Sequence, residues 1–444
     1  MGPRSEAHDA AEVLGGEWRE TRGQRFLVVD RKYAPRHRHG DVAIADTLPS
    51  DDDVWPRLAL LATSPSDASG NTDNSRNSAR RGRMLFVDLE TTGLAGGAGT
   101  YAFLVGCAWY QEGALRVRQF FLSNFGAERA LLEAVAEMVE ACSTVVTFNG
   151  KSFDVPLFET RCVLHRLETP FAGMPHVDML HPARRLWKFD DVGECADGGK
   201  ERPLAELRNC ALTALEQRLF DYVRSGDVPG HEIASRYFSF VRQGDIHALV
   251  PILEHNRQDL VSLVMLTHRA ARLLARGVSA AQSKREALTL GHYFERWGEW
   301  RDAEDCYAMA AGIHEPHPHS EWEDAWCVRA AALQGYAQVM RRQSRHVDAA
   351  KASQLLLSSC NASATQMYHA ARALAVHHEH RTHDFEAAQT AANQMLRLST
   401  TTACRSLAEH RLARIKRKGR RREGDCHDLL ACLRSTGVRT DERR

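Results

Sequence analysis

The sequence predicts an α/β fold, a mixed sheet flanked by helices, followed by an all-α region of helical repeats. Three observations carry this. Short apolar strands alternate with amphipathic helices between Met84 and Leu274. Strand signals stop after about Ser279. Small and aromatic residues then recur at the spacing of helix–turn–helix repeats. At 444 residues the chain exceeds one ordinary core, so two or three domains are expected.

Each element follows from its local pattern. "GQRFLVVDRKY", Gly23 to Tyr33, alternates as one or two strands, giving an N-terminal β-appendage over residues 1–62, partly disordered. Residues 63–83 hold almost nothing that can be buried and read as a flexible linker. "MLFVDLE" is a buried strand, and "AFLVGCAWY" and "ALRVRQFFL" flank a hairpin turn at Gln111, Glu112 and Gly113. "AERALLEAVAEMVEAC" is helical, with Leu131, Leu132, Val135, Met138 and Val139 on one side. "STVVTFNG" is a further strand, and "FDVPLFETRCVLHRL" opens a helix. A polar loop from Asp190 to Pro203 and a long helix from about Asp245 to Leu274 complete a domain over residues 84–278.

Residues 279–418 read as repeats. "ALTLGHYFERWGEWRDAEDCYAMA", Ala287 to Ala310, resembles a tetratricopeptide repeat, and Ala303, Ala349 and Ala387 mark equivalent positions in it and two looser echoes. Such a short α-solenoid usually holds a partner rather than doing chemistry. A basic, polar tail is expected over residues 419–444. The run from Arg411 to Arg422 carries eight Lys or Arg, which fits a solvated tail and a phosphate-binding surface equally. His377, His378, His380 and His383 read as a solvated helix rather than a zinc site.

Composition narrows the setting. With 43% apolar and 26% charged residues and a net charge of +1, the chain is a soluble globular protein without a global polyanion-binding charge. The N-terminus lacks the apolar core of a signal peptide, and no stretch approaches the roughly 18 apolar residues of a membrane span. The eleven scattered cysteines contain no Cys-x-x-Cys pair and fit reduced thiols in the cytoplasm.

"MLFVDLETTGL", Met84 to Leu94, ends a hydrophobic strand on acidic side chains. Residues two apart in a strand share a face, so Asp88 and Glu90 lie side by side and require a cation between them. "TFNGKSFDVP" places Asp154 just past a strand, at the start of a helix. "LEHNRQDLVSLVML" places His255 and Asp259 one helical turn apart on one face. Four carboxylates from three elements, meeting at one sheet edge, would hold two divalent ions about 3.5–4 Å apart. The hard oxygen set points to Mg2+ or Mn2+. Thr91, Thr92, Gly93 and Leu94, with Asn149 and Phe153 of the second segment, are candidate substrate contacts. The Gly-rich "GLAGGAG" would let backbone approach a nucleotide. It is not a P-loop, because no Gly-Lys-Ser/Thr follows. Phe148 or Phe153 would stack on a base or join the core.

The order Asp-x-Glu, Asn-x-x-x-Phe-Asp, then an aromatic residue before a last Asp, resembles the DEDD family of 3′→5′ exonucleases. "FNGKSFDVP" is similar to the second motif of the proofreading domains of family B DNA polymerases. The whole arrangement, with "DVPGHEIASRYFSFVRQGD" before the last motif and helical repeats after it, resembles the YprB-type ribonuclease H-like proteins. The resemblance implies a ribonuclease H-like sheet and a metal-dependent 3′→5′ exonuclease acting on a single-stranded 3′ end of DNA or RNA. Asp88, Glu90, Asp154 and Asp259 would be its metal-binding carboxylates. The pattern departs at His255, which combines the histidine of one subclass with the Tyr-x-x-x-Asp spacing of the other. Its expected role is general base or orienter of the attacking water. A protein partner on the repeats is a further expectation, and a membrane is not. Two alternatives stand beside this reading: a non-catalytic nucleic-acid-binding scaffold, and an endonuclease of ribonuclease H type.

Overall fold

A computed structural model of the chain describes residues 10–47, 57–58, 83–93, 97, 99–187, 210–313, 325–359 and 362–435. The expected linker, apart from Arg83, the polar loop at Asp190–Pro203 and Leu94 lie outside the described residues. The chain divides into two compact units, Met1–Arg276 and Gly277–Arg444.

The first unit is built on a seven-stranded mixed sheet of order β1-β2-β7-β6-β5-β8-β9. Its strands are β1 (Glu17–Thr21), β2 (Gln24–Tyr33), β5 (Met84–Thr91), β6 (Ala102–Gln111), β7 (Ala114–Phe121), β8 (Thr144–Thr147) and β9 (His176–Asp178), while β3 (Arg38–His39) and β4 (Val42–Ala43) form a small separate ribbon. From β1 to β5 the pairing is antiparallel, and β8 and β9 add in parallel. The N-terminal strands are therefore not an appendage. β2 pairs along β7 from Leu27↔Phe121 to Tyr33↔Leu115 and buries Phe26, Leu27, Val28 and Val29 in the shared core. In the β6–β7 turn Glu112 and Gly113 both have positive φ, 52° and 70°, the backbone that a two-residue hairpin with right-twisted strands demands.

The helices of this unit are α1 (Glu128–Glu140), α2 (Asp154–Leu164), α3 (Leu180–Leu186), α4 (Leu212–Phe220), α5 (Gly230–Gln243) and α6 (Val250–Arg276). Leu131, Leu132, Val135 and Val139 of α1 pack with Leu85, Val87 and Leu89 of β5. The period of two sends Phe86, Asp88 and Glu90 to the opposite face, where α6 lies.

The second unit is all helical: α7 (Lys284–Trp297), α8 (Trp300–Ala311), α9 (Ala325–Arg342), α10 (His346–Leu357), α11 (Ala364–His377), α12 (Phe385–Arg397) and α13 (Thr402–Ser435). Each helix packs on the next, as stacked helical hairpins do. Tyr307 of α8 fills the seam between α7 and α9. A Cβ added at Gly291 or Gly335 would come within 2.7 or 2.5 Å of its ring. Ala303, Ala349 and Ala388 are each the fourth residue of their helix and each buried. The helix position that matches Ala303 and Ala349 is thus one residue beyond Ala387. The last helix runs to Ser435, so the segment expected as a tail from residue 419 is largely helical.

Candidate active site

The acidic residues of β5 keep the regular two-residue period, and the sheet pairing breaks just after them. Asp88 pairs with Gly106 and Glu90 with Leu104, and the register then slips so that Thr91 pairs with Ala102. Such a bulge bends a strand end and re-aims its side chains. Thr91 donates its hydroxyl to the Gly93 carbonyl at 3.0 Å, and Thr92 accepts from the Tyr101 N–H at 2.9 Å. These two candidate substrate contacts therefore shape the strand exit with their side chains.

Asp154 opens α2, and the turn before it is fixed by Asp178 at the end of β9. The Asp178 carboxylate accepts from the backbone N–H of Asn149 at 2.7 Å, Lys151 at 3.0 Å and Leu180 at 3.0 Å. Asn149 itself sits at φ 67°, a left-handed conformation that Asn tolerates better than most residues. Phe153, next to Asp154, leaves 53% of its surface exposed, whereas Phe148 is half-buried.

Asp259 and His255 come from α6. The neighbouring Asn256, fully buried, ties this helix to the sheet. Its amide Nδ2 donates to Asp88 Oδ2 at 2.8 Å and to the Asp88 carbonyl at 3.1 Å, while its Oδ1 accepts from Gln119 Nε2 at 2.9 Å. Asp88, Gly106 and Gln119 form one cross-strand row on β5, β6 and β7. The bridge spans that row because Gly106 has no side chain: a Cβ there would lie 2.2 Å from Asn256 Oδ1 and 2.7 Å from Leu260 Cδ1.

The four sequence-predicted carboxylates Asp88, Glu90, Asp154 and Asp259 are brought within electrostatic reach of one another. Burial is the main reason that Asp88 and Glu90 hold protons well above the usual carboxylate range, and repulsion from Asp259 and Asp154 adds to it, with Glu90 acting also on Asp88 and Asp227 on Glu90. Asp154 is pushed up to about 7 by burial, then by Asp178 and Asp259. Two further residues that the sequence reading did not single out complete the electrostatics. Arg224, with 4% of its side chain exposed, reaches Glu216, Asp227 at 3.3 Å and Asp259. Asp227 Oδ1 lies 2.6 Å from His255 Nδ1. A carboxylate only accepts, so this contact places the imidazole proton on Nδ1 and leaves Nε2 facing Asp259 Oδ2 at 3.7 Å. Burial opposes the Asp227 charge, but the His255 bond and Arg224 outweigh it and hold this carboxyl below its usual range. Asp227 opens the "DVPGHE" segment, the one sequence signal for it. Arg224 offered none.

The donor set fits a hard divalent cation in type: oxygen ligands, no thiolate, and surplus negative charge that burial makes costly. Among the described residues, however, no three His, Cys, Asp or Glu side chains are already gathered to hold an ion. Asp259 is engaged by Arg224 instead.

Residues 85–271 match the model of the RNase_H superfamily. Over most of its length the chain is similar to the uncharacterized protein YprB of Bacillus subtilis (strain 168). The two are 29% identical over 399 residues, covering 88% of this chain and 86% of that protein. No helix among the described residues is long and apolar enough to cross a membrane.

Proposed function

We propose that the first unit is a divalent-metal-dependent 3′→5′ exonuclease acting on a single-stranded end of DNA or RNA in the cytoplasm. The observation that carries this reading is the meeting of Asp88, Glu90, Asp154 and Asp259 from three elements, each of the first three raised in proton affinity by burial and by its acidic neighbours. Buried acids that raise one another's proton affinity suit a cation that replaces their protons. Asp88, Glu90, Asp154 and Asp259 would hold Mg2+ or Mn2+. Bound there, such ions supply charge neutralisation for the phosphodiester and a more acidic attacking water.

The chain's own residues do the rest. Asn256 fixes the Asp88 carboxylate, and Asp178 fixes the turn that presents Asp154. His255, its Nδ1 proton held by Asp227, turns the Nε2 lone pair toward Asp259, where it accepts a proton from water. Arg224 neutralises Asp259 until the substrate and cations arrive. Phe153 offers an exposed ring to a terminal base. The tetratricopeptide-like second unit holds substrate or a partner.

The test is hydrolysis of 3′- and 5′-labelled single-stranded DNA and RNA, with Mn2+, Mg2+ or chelator, and of circular against linear strands. Stepwise shortening from the 3′ end of linear strands alone is expected. Cleavage of circles would make the enzyme an endonuclease. A second reading, a non-catalytic binder, is favoured by the Arg224–Asp259 pair, because a permanent internal cation removes the need for a metal. Tight strand binding with no hydrolysis in any metal would establish it.

A further inference from the structure

Charge is unevenly placed along this nearly neutral chain. Residues 325–421 carry sixteen Lys or Arg against five Asp or Glu. Four of those five acids are already engaged. Glu379 is buried under Arg411, Arg414 and Lys418, Asp348 pairs with Arg345 and Lys351, Asp384 caps α12, and Glu409 faces Arg405. Three of the remaining cations converge on one groove. Two cavities of about 240 and 370 Å³ adjoin at Arg341, between α9, α10 and α11. Arg341, Arg372 and Arg381 line them together with the imidazoles of His346, His369 and His377, and among the described residues no Asp or Glu contributes to either wall. The local field agrees: burial, then His378, His346 and Arg381, make His377 harder to protonate than usual.

We infer that this groove binds a single-stranded nucleic acid by its phosphodiester backbone. Arginines on successive hairpins match a ligand with repeated negative charge, since each phosphate can take two N–H groups from a guanidinium. The imidazoles add flat faces on which bases stack. Confined cavities of this size suit one strand rather than a duplex. The choice of nucleic acid over another polyanion rests on the proposed nuclease activity of the same chain, to which a tethered second grip would add effective concentration.

The experiment uses full-length Asp88→Asn protein in chelator, so that binding is read without cleavage. Fluorescein-labelled oligothymidylate and oligouridylate are titrated and followed by anisotropy across a salt series. Arg341→Gln with Arg372→Gln is expected to weaken binding roughly tenfold or more at low salt and to flatten the log K against log salt slope by about two. Arg341→Lys with Arg372→Lys should keep most of the affinity. Arg381→Gln with His346→Gln, in the adjoining cavity, should reproduce the loss. Both glutamine pairs binding as tightly as their parent would overturn the inference. So would displacement of the oligonucleotide by oligoglutamate at comparable concentration, which would make the groove a site for acidic peptides. If the groove variants lose binding while the native chain cleaves nothing, the nuclease reading fails and the groove stands. If the native chain cleaves and the groove variants bind normally, the groove fails alone.

Discussion

His255 Nδ1 lies 2.6 Å from Asp227 Oδ1, so the imidazole is oriented by a carboxylate twenty-eight residues earlier in the chain. In the proposed mechanism this dyad determines which ring nitrogen is free. His255→Ala should lower turnover by roughly 10²–10⁴ with little change in substrate binding. Asp227→Asn should lower it by about 10–100-fold, because an amide holds the ring less firmly than a carboxylate. His255→Tyr should restore part of the alanine loss, since the spacing to Asp259 already suits a tyrosine. Near-normal turnover of the alanine variant at neutral pH would make the dyad structural.

Removal of one carboxylate gives a second test. Asp88→Asn and Asp259→Asn should each abolish hydrolysis while keeping the fold and raising the strand affinity, because less negative charge then faces the phosphates. Asp259→Asn also releases Arg224 from its short pairing, so its strand affinity should rise more than that of Asp88→Asn. Unchanged activity in both variants, or full activity in excess chelator, would sink the metal-dependent reading.

Metal-free stability should depend on pH through Asp154. Its carboxyl holds a proton up to about 7 in the folded chain, against an ordinary value of 3.8. Between these values the folded state binds more protons than the unfolded state, so stability falls as pH rises through the window and stays low above it. In chelator the melting temperature should therefore drop from pH 5 to pH 8. Asp154→Asn should flatten that drop, and Mn2+ should stabilise the native protein more at pH 8 than at pH 6. An identical slope in the asparagine variant would show that Asp154 is not responsible.

The cut between units is testable by truncation. A fragment over residues 84–277 loses β1 and β2 and uncovers the β7 edge together with the core that Phe26 to Val29 fill. It should be insoluble or molten. A fragment over residues 1–278 should unfold cooperatively. A well-folded 84–277 fragment would show that β2 is dispensable to the sheet.

Much of this architecture was legible because it is local. The Asp88–Glu90 pair follows from the two-residue period of one strand, and the β6–β7 turn from Glu112 and Gly113. His255 and Asp259 share a face because they are one turn apart. What escaped depends on contacts between distant residues. Asn256 meets Asp88 across 168 positions, and Arg224 gathers Glu216 and Asp259 from two separate helices. The pairing of β2 with β7 crosses the polar segment over residues 63–83, which conceals it from any local reading. The slip from Ala387 to Ala388 has a simpler cause. Similarity between segments this loose fixes a helix register only to within a residue, and one residue on a helix turns the side chain by about 100°.

The contact between Gly106 and Asn256 also constrains how this protein can drift. Any side chain at position 106 collides with the amide at position 256, and any shorter residue at 256 leaves Gln119 and Asp88 without their common partner. Neither site can change alone without disturbing the acid at position 88. The pair should therefore be inherited as one character. In active descendants of this chain Gly106 and Asn256 would persist together, and in a lineage that abandons Asp88 both would be released to vary at once.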